Sequence, residues 1–236
     1  MAASSAAHMV EKTQSVPALG KLKGADRERA FHRMFLPLAF EVAGTVVPDP
    51  ARRLTAAYGF LAHWAAETDR GGGLYNWNLG NIHGGGGWAK AGHDEYMSTD
   101  TDVGGTGNKY NVTFRAYDTA HEGAYDAAAL MMRAPARRTV ILTGDILDLY
   151  VAMRNTGYFN PWCSKDAEGK AIACTDDQLR QWMVNQTAAI KRDTNDVDYK
   201  AGYQEPGVTV LGASVSTLAF MGLFGVGAYF LWKNKG

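Results

Sequence analysis

Residues 54–82, LTAAYGFLAHWAAETDRGGGLYNWNLGNI, change character abruptly part-way along. Up to Glu67 the apolar residues recur at helical spacing. Leu54, Tyr58, Leu61 and Ala65 form one stripe, and Glu67 falls on its flank beside Phe60, His63 and Trp64. Gly71, Gly72 and Gly73 then end the pattern, and out to Thr113 the chain is glycine, aromatics and alternating polar residues, which suits loops and a short β-hairpin. The same spacing and start signals predict helices over 26–43, 51–69, 119–133, 145–155 and 176–192. The expected fold class is therefore mainly α (α+β), a helical domain with one short hairpin.

Residues 208–232, VTVLGASVSTLAFMGLFGVGAYFLW, carry no charge over 25 positions and are followed by Lys233 and Lys235. A helix of that length crosses a hydrocarbon core of roughly 30 Å. The expectation is one C-terminal transmembrane helix, in contact with the lipid bilayer. Tyr229 and Trp232 would sit at the interface, and the basic tail 233–236 would lie on the cytoplasmic side. The protein would then be membrane-anchored by a single span, with its main domain on the non-cytoplasmic side. The remaining divisions are a flexible segment over 1–25, without an apolar run long enough for a secretory signal, a domain over 26–193, and a polar linker over 194–207 that holds Gly202 and Pro206.

Lys+Arg and Asp+Glu both number 24, so the formal net charge is zero and no nucleic-acid partner is implied. Cys163 and Cys174 lie in one polar stretch with no histidine between them, which is not a zinc pattern. They would pair outside a reducing compartment and stay free thiols within one. Asp100, Asp102 and Gly104 have the outline of a calcium loop, but the twelfth position is Asn111 and the bidentate acid is missing. The histidines show no short two-histidine motif, so no metal and no cofactor are expected.

Glu67 has the setting of a general acid. Its aromatic flank and its place in the last helical turn both disfavour the ionised form of a carboxyl group. By spacing alone, a glutamate late in a helix is most often a solvated side chain. His63, one turn earlier, is placed either to tune that acid or to pack.

Three elements in order carry a resemblance. HWAAETDRGGG followed by NWNLGNI, then FRAYDTAHEGAYDAAALM (114–131), then NTGYFNP (155–161) together resemble the peptidoglycan glucosaminidase family typified by the flagellar muramidase domain. The resemblance implies a lysozyme-like fold and a glycoside hydrolase that cuts the β-1,4 backbone of peptidoglycan glycan strands, as an N-acetylglucosaminidase in the first place, with a muramidase or lytic transglycosylase as alternatives. It makes Glu67 the general acid. Asn76, Asn78 and Asn81 would hold the cleft or contact sugar, and Tyr117 and Tyr158 would line it. The second carboxylate stays open: local similarity favours Glu95, while spacing to Phe114 favours Asp100 or Asp102. A non-catalytic wall-binding module on the same fold is the alternative. The setting implied by analogy is either a cell envelope or a phage virion, with assembly partners in one or the other.

Overall fold

The computed structural model describes residues 8–101, 109–159, 161–165, 167 and 171–206. In chain order these form β1 (His8–Met9), α1 (Pro17–Lys21), α2 (Gly24–Val46), α3 (Arg53–Glu67), α4 (Gly86–Lys90), β2 (Asp94–Thr101), β3 (Lys109–Arg115), α5 (Ala120–Arg133), α6 (Pro135–Thr143), α7 (Leu149–Asn155), β4 (Trp162–Lys165), β5 (Ala171–Ala173) and α8 (Asp176–Asp193). Residues up to Tyr203 belong to one unit. At its centre α2 packs on α3, and Phe31, Phe35, Leu38 and Val42 of the first join Ala57, Phe60, Leu61 and Trp64 of the second in one core. Each of the phenylalanine, leucine and valine side chains contributes about 1.5–3 kcal/mol by leaving water.

The sequence predicts one apolar stripe on α3, and the structure buries far more. Every residue from Ala56 to Ala65 except Tyr58 is buried. Alanine and glycine supply the difference, because Ala56, Ala57, Gly59, Ala62 and Ala65 are small enough for neighbouring elements to close on the remaining faces. Gly59 lies against Ile146 and Leu149 at ordinary to tight contact.

The hairpin of β2 and β3 is antiparallel, with Glu95 opposite Arg115 and Thr101 opposite Lys109. β1 adds to it in parallel, with Met9 opposite Glu95. The segment 1–25, expected to be flexible, is thus structured from His8 onward. The Val10 amide donates to the Glu95 carbonyl at 2.8 Å, the Ser15 amide to the Leu74 carbonyl at 3.0 Å, and the Asn76 amide to the Thr13 carbonyl at 2.9 Å. These backbone bonds need no distinctive side chain, so a polar sequence conceals them.

Residues 194–207, expected as a linker, are also bound to the domain as far as Tyr203. The Tyr203 ring stacks on Phe35 at 5.8 Å, its amide donates to the Glu41 carboxylate at 2.6 Å, and Tyr199 meets Phe40 edge-on at 4.8 Å. Two aromatics anchor a stretch whose other residues are polar.

The expected transmembrane helix requires a correction. No helix among the described residues is long and apolar enough to cross a membrane, and the run 208–232 itself lies outside them. The longest helix, α2, has 23 residues but carries Asp26, Arg27, Glu28, Arg29 and Arg33 in its first half. The fold class is corrected to a mainly helical domain with small sheets. The single-span, membrane-anchored localisation and its bilayer contact have no described helix to carry them.

α5 presents Gly123, Ala124, Ala127 and Ala128 as a buried small-residue face. The loop after α3 lies directly on it. A Cβ at Gly123 would overlap the Trp77 carbonyl oxygen, and one at Gly80 would lie 2.9 Å from the Ala127 methyl. A buried polar cluster lies where α2 meets the end of α8. His32 of α2 is fully buried, and its Nδ1 lies 2.9 Å from the Asp193 carboxylate at the end of α8. Arg192 Nε donates to the same carboxylate at 2.8 Å, and Arg33 Nη1 to the Asp193 carbonyl at 3.2 Å. Burial lowers the His32 pKa, only partly opposed by Asp193 and Glu28, so the ring is a neutral donor at pH 7. For Asp193, burial alone acts upward, and the bonds from Arg192 and His32 outweigh it to hold the carboxyl below its ordinary value.

Two predictions concern stability. Gly123→Ala replaces a poor helix former with a good one, yet the overlap with Trp77 should dominate and destabilise by about 1–3 kcal/mol. Gly44→Ala in α2, where nothing lies within 4 Å, should instead stabilise by up to about 1 kcal/mol. Urea unfolding of the two variants should move in opposite directions, and parallel shifts would refute the packing argument. As to pH, His32 and the fully buried His63, which burial pushes down to about 3, both resist protonation in the fold but accept a proton near 6.5 when unfolded. Their contribution is complete above about 6.5 and falls as pH drops toward 3. Asp193 contributes above about 3.8 and fails below it. The melting temperature should be level above pH 7 and decline from about 6.5 downward. A decline that begins only near pH 4 would contradict it.

Candidate active site

Glu67 is the last residue of α3, and its side chain is 23% exposed, where the preceding turns are sealed. The helix ends by a side-chain switch. Thr68 Oγ1 donates to the Trp64 carbonyl at 2.7 Å and accepts from the Gly71 amide at 3.0 Å, turning the chain out of the helix. Asp69 and Arg70 then take positive φ of 45° and 54°, followed by Gly71 at 80°. Arg27 of α2 holds this turn, because its guanidinium donates to the Asp69 carboxylate at 2.6 Å and to the Leu22 carbonyl at 2.7 Å. A Cβ at Gly72 would overlap that guanidinium.

All five non-glycine residues with positive φ among those described lie between 69 and 81: Asp69, Arg70, Asn76, Trp77 and Asn81. Such conformations cost roughly 1–3 kcal/mol each and persist where surrounding bonds impose them. The asparagines explain part of this. The Asn76 amide group is engaged by the N-terminal strand, donating to the Glu11 carbonyl at 3.0 Å and accepting from the Thr13 amide at 2.9 Å. Asn78 is buried, donates to the Ile82 and Arg115 carbonyls at 2.9 and 3.0 Å, and accepts from the Ile82 amide at 2.8 Å. Both hold the loop. Asn81 is half-buried, and its side chain makes no hydrogen bond among the described residues.

Tyr158 enters from the other side of the sequence. The Gly157 amide bonds the Arg154 carbonyl at 3.0 Å and the Tyr158 amide bonds the Met153 carbonyl at 2.9 Å, with Gly157 at φ 69°. This Schellman arrangement is why glycine precedes the tyrosine, and it swings Tyr158 back over α3. There its hydroxyl lies 2.9 Å from His63 Nε2 and 3.4 Å from the Gly80 carbonyl. His63 Nε2 is in turn 3.8 Å from Glu67 Oε1. Burial, and to a lesser degree the negative charge of Glu67, keep the Tyr158 and Tyr150 hydroxyls protonated. Tyr150 donates to the Ala62 carbonyl at 3.1 Å. Glu67, His63, Tyr158 and Gly80 thus share one place.

Tyr117 belongs to a neighbouring cluster. It is buried, its hydroxyl donates to Asp126 at 2.7 Å, and its ring meets Trp88 edge-on at 5.4 Å. Asp126 is also paired with Arg115, which lies over the Trp88 ring at 4.6 Å. Packing, rather than an exposed wall, describes Tyr117. Of the three candidate second carboxylates, Glu95 is buried, with its carboxylate bonded to the Gly85 amide and packed on Gly84. Asp100 is opposite Tyr110, farther along the hairpin, and Asp102 lies outside the described residues.

Residues 80–85 run from the Tyr158 contact to the Glu95 contact. Beyond Gly80 the chain pairs with the end of β3, through Arg115 to the Ile82 carbonyl at 3.0 Å and Gly84 to the Thr113 carbonyl at 2.8 Å, and then reaches Glu95. The five steps from Gly80 to Gly85 span at most about 18 Å, which bounds the separation of the Tyr158 contact from the Glu95 contact. Cys163 and Cys174 form a disulfide that closes β4 against β5, and Arg154 Nη1 donates to the Cys174 carbonyl at 2.8 Å. Sequence reasoning missed Arg137. It is buried, donates to the Met131 and Leu130 carbonyls and to Thr156 Oγ1, and lies over the Tyr158 ring at 5.0 Å. No local motif marks such a residue, since its partners come from α5 and α7.

No family model matches the chain, and none of the curated proteins does. Solved structures similar to it include the glycoside hydrolase domain of FlgJ from Salmonella typhimurium, 17% identical over 72% of this chain and 92% of that one, with a TM-score of 0.49. A peptidoglycan hydrolase from Sphingomonas sp. A1 is 20% identical over 70% of this chain and 94% of that one, at 0.47. The catalytic domain of the autolysin Auto from Listeria monocytogenes is 14% identical over 73% and 93%, at 0.43.

Proposed function

We propose that this chain is a glycoside hydrolase that cuts the β-1,4 backbone of peptidoglycan, as an endo-N-acetylglucosaminidase with Glu67 as its general acid. The observation that carries the reading is the placement of Glu67. A carboxylate emerges at the open end of an otherwise sealed helix, with a neutral imidazole at 3.8 Å and a tyrosine hydroxyl hydrogen-bonded to that imidazole. The sequence elements that resemble the glucosaminidase family are the ones that build this place: the end of α3, the asparagine-rich loop and the turn at Gly157.

In this reading Glu67 donates its proton to the glycosidic oxygen as the bond to the anomeric carbon breaks. Tyr158 and the unengaged Asn81 amide meet the sugar, whose ring faces are apolar and whose edges carry hydroxyls. Asn76, Asn78 and Tyr117 serve indirectly, by holding the loop that shapes the cleft. For the second carboxylate we assign Glu95, which an inverting route would use as base toward a water on the far side of the ring, with roughly 6.5–9.5 Å between the two groups. Glu95 is tied to the loop that also meets Tyr158. The Cα of Asp100 lies five strand residues beyond it, about 16 Å away.

Glu67→Gln keeps size and hydrogen bonding but has no proton to give, and should lower the release of reducing ends from purified sacculi at least about 1,000-fold with the melting temperature unchanged. Glu95→Gln retains an acceptor for the Gly85 amide and should lose about 100-fold or more, while Asp100→Asn stays within about threefold. Product analysis should find reducing N-acetylglucosamine ends. Undiminished activity in Glu67→Gln would sink the assignment, and a wild-type protein that binds sacculi without releasing sugar would replace the enzyme with a wall-binding module.

A further inference from the structure

His63 is a fully buried titratable side chain in contact with the candidate site, and proton donation by Glu67 does not require it. Its ring lies edge-on to Tyr158 with centroids 5.3 Å apart. The groups that face it are Tyr158 from the turn after α7, Glu67 from its own helix, and Arg137 from α6, whose charge adds to burial in opposing protonation. Held down to about 3, the ring is neutral wherever a wall hydrolase works, and a neutral imidazole carries one N–H.

The two ring nitrogens have different environments, and these decide which one carries the proton. Nδ1 is buried with no hydrogen-bond partner among the described residues, whereas Nε2 faces the Tyr158 hydroxyl at 2.9 Å and Glu67 Oε1 at 3.8 Å. A buried N–H without an acceptor is rarer than a buried acceptor without a donor, so the proton belongs on Nε2. The Tyr158 oxygen then accepts from His63, and its own hydrogen is left to point elsewhere: toward the Gly80 carbonyl at 3.4 Å or into the cleft.

We propose that His63 is a positioning residue for the reaction, whose Nε2–H fixes the Tyr158 hydroxyl so that its hydrogen is turned away from the ring, toward the Gly80 carbonyl and the cleft. It sits beside Glu67 without adding a positive charge. A charged imidazolium at that distance would favour the carboxylate and work against an acid. A neutral donor fixes the tyrosine without that opposing charge. The role deepens the glycosidase reading and rests on it for its catalytic consequence, but the tautomer does not.

Nitrogen-15 NMR of histidine-labelled protein tests the tautomer directly. His63 should show its proton on Nε2 and no titration between pH 5 and 8. A proton on Nδ1, or a titration in that range, overturns the proposal whether or not the protein cuts glycan. Turnover of soluble glycan fragments tests the consequence. His63→Gln, which keeps a neutral donor, should hold kcat within about threefold, and His63→Leu should lower kcat at least about tenfold with little change in KM and the same pH profile. In a Tyr158→Phe background, His63→Leu should cost less than about twofold, because the residue acts through that hydroxyl. Equal loss in Gln and Leu, or full additivity with Tyr158→Phe, would assign His63 to packing alone. A wild-type protein with no turnover would overturn the functional reading instead, and the NMR result would stand apart from it.

Discussion

The sealing of α3 is the constraint on which the remainder depends. A helix buried on nearly all its faces from Ala56 to Ala65 leaves its polar chemistry to its ends, since a charged group within that length would need a buried partner. The N-terminal end uses Arg53, whose guanidinium donates to the Val47 and Pro48 carbonyls. At the C-terminal end stands Glu67. The one titratable side chain buried within the sealed length is His63, and it is admitted neutral, with one nitrogen hydrogen-bonded to Tyr158.

Sealing the helix also dictates the path of the chain beyond it. Elements close on α3 from several directions, so the chain leaving it must turn within a few residues and lie flat. It does so through the left-handed residues Asp69, Arg70 and Gly71, and crosses α5 where Gly123 lets the Trp77 carbonyl approach. The strain in the loop is offset by bonds from outside it. Arg27 holds the first turn, the strand from His8 holds Asn76, and the Asn78 amide joins Ile82 to Arg115. The N-terminal residues therefore help to hold the loop beside the candidate site, while also extending the hairpin that carries Glu95.

Legibility in the sequence divides along the same physical line. Features set by local chemistry were legible: the end of α3 ahead of the glycines, the hairpin, and the helix that starts near Asp176. Features set by distant partners were not. α6 is only nine residues long and starts at Pro135 directly after α5, and Tyr199 and Tyr203 read as linker residues until α2 is present to receive them. The same holds within the site. Asn76, Asn78 and Tyr117 stood out as polar or aromatic groups suited to sugar, yet backbone carbonyls, backbone amides and Asp126 already occupy them. Composition shows which groups are able to bind a ligand. Only the fold shows which remain unoccupied.

That distinction bears most on the pair of carboxylates. Glu67 and Glu95, the two carboxylates assigned above, come from a helix end and a hairpin base that share no periodic pattern, and in the stretch from Gly80 to Gly85 three of the six residues are glycine. Their contribution is to be thin. The Gly80 carbonyl reaches the Tyr158 hydroxyl because no side chain intervenes, and Gly84 and Gly85 admit the Glu95 carboxylate against the backbone. A Cβ at Gly84 would overlap that carboxylate, so any larger residue there would push Glu95 away from the loop. The stretch that reads as a featureless loop is thus the strip of backbone on which the Tyr158 and Glu95 contacts are both set. Its glycines are needed for close approach, as Gly123 is needed on the face beneath.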